Sequence, residues 1–170
     1  GSLQTTGLAH PLIPEHKCVV NDFSTQGTAQ AALITGSNMA GKSTFLRSIG
    51  VNTVLAMTGT VVCAASMKIS VMRIISSMRV ADNLQESTST FYAELKKLQY
   101  IIENVNRHEK VFVLLDEILR GTNSLDRHTG SKALVKQLIK KEAIAILATH
   151  DVELAQLQPS YPGNIHNYHF

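Results

Sequence analysis

The stretch AALITGSNMAGKSTFLRSIG, residues 31–50, decides how the rest of the chain is read. Its first five residues, AALIT, form an apolar run of the length of a buried strand. Two glycines follow, Gly36 and Gly41, separated by four residues, and then Lys42, Ser43 and Thr44. From Lys42 to Met57 the pattern turns helical, with Phe45, Ile49, Val54 and Met57 expected near one face. GSNMAGKS, residues 36–43, fits the phosphate-loop pattern G-x-x-x-x-G-K-[ST]. Glycines let the backbone curl so that its N–H groups point inward. The start of a helix adds partial positive charge, and the two together cradle phosphate oxygens. Gly36, Ser37, Asn38, Met39, Ala40, Gly41, Lys42, Ser43 and Thr44 are therefore expected to hold a nucleotide. Lys42 would bridge the β- and γ-phosphates, the Ser43 hydroxyl would ligate Mg²⁺, and Thr44 would lie near the α-phosphate. The bland alternative is a glycine-rich turn with a chance Lys-Ser. The strand before it and the helix after it argue for the phosphate loop.

Two further stretches narrow the chemistry. VFVLLDEI, residues 111–118, is an apolar run ending in two acids. Asp116 is placed at the carboxyl end of a strand, where α/β sheets bind ligands. There it can hold Mg²⁺ and meet Ser43. Glu117 follows directly, placed to orient and deprotonate an attacking water. An Asp-Glu pair favours hydrolysis over transfer, which must exclude water. No guanine-reading N-K-x-D stretch is present, so ATP is favoured over GTP. The third stretch is ATHD after the run AIAILA, residues 143–148. His150 at that strand end is expected to reach the γ-phosphate or the attacking water. His166 and His169 are three apart in a strand-like segment and face opposite sides, so they cannot chelate one metal together.

Composition sets the outer bounds. A chain of 170 residues is enough for one domain with its own core. The net charge of +3 is only mildly basic, and Lys96-Lys97 and Lys140-Lys141 are its adjacent basic pairs. That is sparser than a dedicated DNA-binding face. No apolar run reaches the roughly 18 residues of a membrane span, and residues 1–30 lack the pattern of a signal peptide. The two cysteines, Cys18 and Cys63, sit beside apolar residues and are expected as free core thiols in a reducing cytosol. Apolar runs alternate with helical patterns, which predicts an α/β fold with a mainly parallel sheet flanked by helices. Strands are expected at 31–35, 69–75, 111–115 and 143–148, and an edge strand at 164–170. Helices are expected at 42–57, 91–105 and 124–141, with a short one from Val152. Along 91–105 the predicted stripe is Phe91, Leu95, Leu98, Ile102 and Val105.

Four stretches together resemble the ATPase domain of the MutS DNA mismatch-repair family. TGSNMAGKST, residues 35–44, is similar to that family's TGPNMGGKST, and Asn38-Met39 makes the match more specific than a generic phosphate loop. LLDEILRGTNSLD at 114–126, STFYAEL at 89–95 and LATHDVELAQL at 147–157 resemble its other motifs, in the family's order. The resemblance implies a P-loop NTPase related to ABC-type ATPases, in which two domains sandwich two nucleotides. It implies ATP and Mg²⁺ as cofactors, a homodimer or a paralogue as partner, and Glu117, His150 and Ser89 as catalytic residues. Ser89 would reach the γ-phosphate of the opposite subunit, and residues 120–124 would lie at the same interface. Mismatched DNA would be bound through domains outside this chain, which is expected to be one ATPase domain over residues 1–170. Ser37 stands where the family has Pro, and Ala40 where it has Gly. No aromatic residue precedes Asn21-Asp22, where the family stacks one on adenine, so Val19 or Val20 is expected there instead.

Other readings share parts of this pattern. An ABC-type ATPase of another role would need an LSGGQ-like signature, where this chain has ESTSTFYAE at 86–94. A switch module would bind ATP without hydrolysis. A small-molecule kinase would need a lid of basic residues, for which no stretch stands out.

Overall fold

The computed structural model describes residues 1–37, 39–78, 87–107 and 110–170. In chain order the elements are β1 (Ser2–Leu8), β2 (Asn21–Gln26), β3 (Gln30–Thr35), α1 (Lys42–Met57), β4 (Ser66–Ile69), β5 (Arg73–Ser77), α2 (Ser87–Asn106), β6 (Val111–Asp116), α3 (Ser124–Lys140), β7 (Ile144–Ala148) and β8 (Ile165–His169). A 3₁₀ segment, Val152–Ser160, joins β7 to β8. Five strands form one sheet in the order β5-β6-β7-β3-β8, and every neighbouring pair is parallel. A separate antiparallel sheet has the order β2-β1-β4.

The apolar runs in β3, β6 and β7 are continuous because both faces of the parallel sheet are covered. Successive residues alternate between two cores. Ala31, Leu33, Val113, Leu115, Ala145 and Leu147 pack with Ile101 and Val105 of α2 and Leu134, Val135 and Leu138 of α3. Ala32, Ile34, Phe112, Leu114, Ile146 and Ala148 face the other way. They pack with Phe45, Leu46 and Ile49 of α1 and with Leu3, Leu8 and Phe23 of the antiparallel sheet.

Several expectations change. The single strand expected at 69–75 is two short strands in different sheets, separated by Ser70, Val71 and Met72. Ser70 ends the first of them by hydrogen-bonding back to Ser2. The antiparallel sheet was not legible at all in residues 1–30. In β1 the inward positions are Leu3, Thr5 and Leu8, and a buried threonine hides the alternation. On α1, Val54 and Met57 are exposed, while Asn52 and Thr53 are buried. Val54 lies five residues past Ile49, about 140° round the helix. Asn52 is tolerated inside because its side chain bonds Ala9 O, Ser48 O and the Cys63 amide. On α2, Leu95 points outward, and Ile101 with Val105 carries the buried face. Cys18 and Cys63 are free thiols but only half-buried, so neither is a core residue. No helix among the described residues is long and apolar enough to cross a membrane.

Candidate functional site at the carboxyl edge of the sheet

Register brings the ends of three strands level. Ile34 of β3 and Asp116 of β6 both pair with Ala148 of β7. Beyond that line each chain turns, and the polar groups of the three motifs meet there.

The loop after β3 turns on Gly36, at a φ of +152°. A Cβ on this residue would lie 2.5 Å from the Phe170 carbonyl oxygen, so the close approach of the residue after β8 also demands glycine. Gly41, at a φ of +95°, hands the chain into α1 as its N-cap. Lys42 is buried, and its ammonium donates to the carbonyl oxygens of Gly36 at 2.8 Å and Ser37 at 2.7 Å. A buried charge needs such partners. Thr44 is exposed, as is Met39, whose φ is +66°. Asn38 and the side chain of Ser89 lie outside the described residues; the Ser89 backbone is in the first turn of α2.

Ser43 and Asp116 are brought together as the sequence led us to expect. The Ser43 hydroxyl donates to Asp116 Oδ1 at 3.0 Å, and Asp116 is buried. Both groups offer hard oxygen donors, the type Mg²⁺ takes, so the pair fits that ion. Glu117 extends the sheet by one bond, its amide donating to Ala148 O at 2.9 Å. It then turns left-handed, with a φ of +47°. One of its carboxylate oxygens pairs with His150 Nε2 and the other with Arg120 Nη2, the latter at 2.8 Å. The other ring nitrogen of His150, Nδ1, lies 3.0 Å from Gly36 O. Each nitrogen of the ring thus faces an oxygen. His150 therefore links the glycine loop to the acidic turn.

Arg120 and Glu94 were not singled out by sequence as parts of this network. Arg120 also donates from Nε to Glu117 O at 3.0 Å, and its own amide donates to Glu94 Oε2 at 3.1 Å. A weak signal was present in the i, i+3 pair Phe91 and Glu94 on α2, which faces this turn. Beside Glu117 lies a cavity of about 500 Å³, lined by Arg120, Arg127, His128, His150 and Asp151. His128 Nδ1, on α3, lies 2.7 Å from Asp151 Oδ2 and so pins the segment after His150. Asp151 also caps the 3₁₀ segment through the Glu153 amide. Burial raises the Tyr168 phenol above its ordinary value; that ring packs against Phe23, outside this network.

Comparison with known proteins accounts for most of the chain. Residues 32–170 match the family model for MutS domain V. The chain is 34% identical over 165 residues to the DNA mismatch repair protein MutS of Thermotoga petrophila, covering 95% of this chain and 21% of that protein. It is 34% identical over 167 residues to human MutS protein homolog 4, covering 95% of this chain and 17% of that protein. It is 38% identical over 153 residues to the DNA mismatch repair protein MutS of Oleidesulfovibrio alaskensis, covering 88% of this chain and 17% of that protein. The chain thus spans about a fifth of the length of these relatives.

Proposed function

The chain belongs to the MutS family, in the region of its domain V, and we propose that it is a P-loop NTPase domain that binds and hydrolyses ATP with Mg²⁺. The observation that carries this reading is the meeting of Ser43 with Asp116 at 3.0 Å, with Glu117 and His150 beside them at the same strand ends. Lys42 and backbone amides of the glycine loop bind the phosphates. Ser43 and Asp116 would hold Mg²⁺, which would supply positive charge to the phosphate oxygens. Glu117 takes a proton from the attacking water, and His150 orients that water or the γ-phosphate. Val19 and Val20 are exposed and free to cover the adenine.

On this reading two copies, or this chain and a paralogue, close over the nucleotides. Ser89 and the turn at residues 120–124 then complete the opposite site. Two of the relatives are named DNA mismatch repair proteins, and on this reading DNA is engaged by parts of the protein outside this chain.

One observation favours a second reading, a nucleotide switch without turnover. Both Glu117 oxygens are already engaged, by Arg120 and His150, so the base is held rather than free. Steady-state hydrolysis across a wide range of protein concentration separates the two. If the chain is a dimeric ATPase, specific activity rises with concentration. Glu117→Gln then lowers it by roughly 10²–10⁴-fold while nucleotide affinity is kept. Binding without turnover at every concentration would leave the switch.

A further inference from the structure

We propose that Glu94 is a positioning residue that sets the carboxylate of Glu117 through the backbone and side chain of Arg120. This rests on the reading of Glu117 as the base in ATP hydrolysis.

The turn after β6 contains two left-handed residues with side chains, Glu117 at a φ of +47° and Leu119 at +58°. Residues with side chains disfavour this conformation, and it persists only when its surroundings hold it. Three contacts do so. The buried Leu119 side chain lies against Gly130 of α3, where a Cβ would come within 2.4 Å of Leu119 Cδ1. The backbone at Gly121 rests on Phe91 of α2, where a Cβ would meet the Phe91 Cβ at 2.8 Å. Between these two contacts, the Arg120 amide donates to Glu94 Oε2 at 3.1 Å.

The third contact matters for the base. With its amide tied to α2, Arg120 folds back on the turn. Its Nε reaches Glu117 O at 3.0 Å and its Nη2 reaches Glu117 Oε2 at 2.8 Å. The other Glu117 oxygen is left to His150. Among the described residues, Glu94 bonds the Arg120 amide and not the Glu117 carboxylate or the His150 ring. It grips the peptide that carries the guanidinium, and the guanidinium aims the carboxylate. An amide donating to a carboxylate is a charge-assisted bond, stronger than a bond between neutral groups. It also ties Glu117 to α2, the helix whose first turn holds Ser89. A movement of that helix is thereby felt at the base.

The test compares the wild-type chain with Glu94→Ala, Glu94→Gln, Glu117→Gln and the Glu94→Ala/Glu117→Gln double variant. Misplacing the base lowers kcat, so Glu94→Ala is expected to reduce it by roughly 10–100-fold, with KM within about twofold. Glu94→Gln keeps a carbonyl oxygen for the Arg120 amide and should restore most of the loss. In the Glu117→Gln background Glu94→Ala should add nothing, because residues that act as a unit are not additive. A second readout needs no turnover. In NMR spectra the His150 ring signals should shift in Glu94→Ala and the Arg120 amide should exchange faster. The His166 ring, bonded to Gln30, should stay put. An unmoved His150 ring overturns the proposal, as does a KM that rises in step with the fall in kcat, or a glutamine that fails to rescue. If the wild type shows no turnover, or Glu117→Gln matches it, the base assignment falls. The His150 signals then still decide whether Glu94 positions Glu117.

Discussion

The loop between β3 and α1 bends at Gly36 and Gly41, with φ of +152° and +95°, whereas the turn after β6 bends at Glu117 and Leu119, with φ of +47° and +58°. Both occupy the same edge of the sheet, and His150 touches both. In the first, residue type permits the conformation at Gly36 and Gly41, because glycine visits left-handed backbone at no steric cost, and among the described residues Met39 is the one left-handed residue there with a side chain. In the second, tertiary contacts impose it on residues that disfavour it. The first loop takes most of its bends from glycines in a short motif. The second depends on Phe91 and Glu94 of α2 and on Gly130 of α3, each distant in sequence. A loop that must cradle an anion with its own amides suits the first design. A turn that must aim one carboxylate suits the second, since its geometry answers to other elements.

The largest effect that would sharpen this contrast is at Glu117, where glutamine should cost turnover and spare binding. At Lys42 the division should reverse. Lys42→Ala removes charge-assisted contacts worth about 3 kcal/mol, or roughly a hundredfold in Kd. Titration with a fluorescent ATP analogue checks it, and unchanged affinity would break the assignment of the loop.

The next effect tests the claim that glycine is required in the first loop. Gly36→Ala drives a methyl group into the Phe170 carbonyl, 2.5 Å away. Strain of this kind costs about 1–3 kcal/mol, so thermal unfolding should move down by several degrees. An unshifted midpoint would mean that β8 yields easily.

The smallest effect has the opposite sign. Glu142 follows α3 at a φ of +58°, with its amide on Ile139 O and the next amide on Leu138 O. Glycine favours this position after a helix. Glu142 is exposed and far in sequence from the motifs, so its strain has no evident compensation. Glu142→Gly should stabilise the chain by about 0.5–1 kcal/mol. Chemical denaturation that shows a loss instead would contradict the view that left-handed residues outside the turn are simple cost.

The sequence by itself determined the parallel sheet, the glycine loop and the pairing of Ser43 with Asp116. The first two are local facts. A strand covered on both faces must read as an unbroken apolar run, and an anion cradle needs glycines at fixed spacing before a helix. Strand ends at matching register then bring the motifs level. Only the tertiary structure decided the antiparallel sheet of β1, β2 and β4, because threonines at the buried positions 5 and 25 leave no apolar alternation to read. It alone revealed that Arg120 and Glu94 belong to the network around Glu117. Their roles arise from a left-handed turn pressed between α2 and α3, and a conformation imposed by distant neighbours leaves no mark in the residues that adopt it.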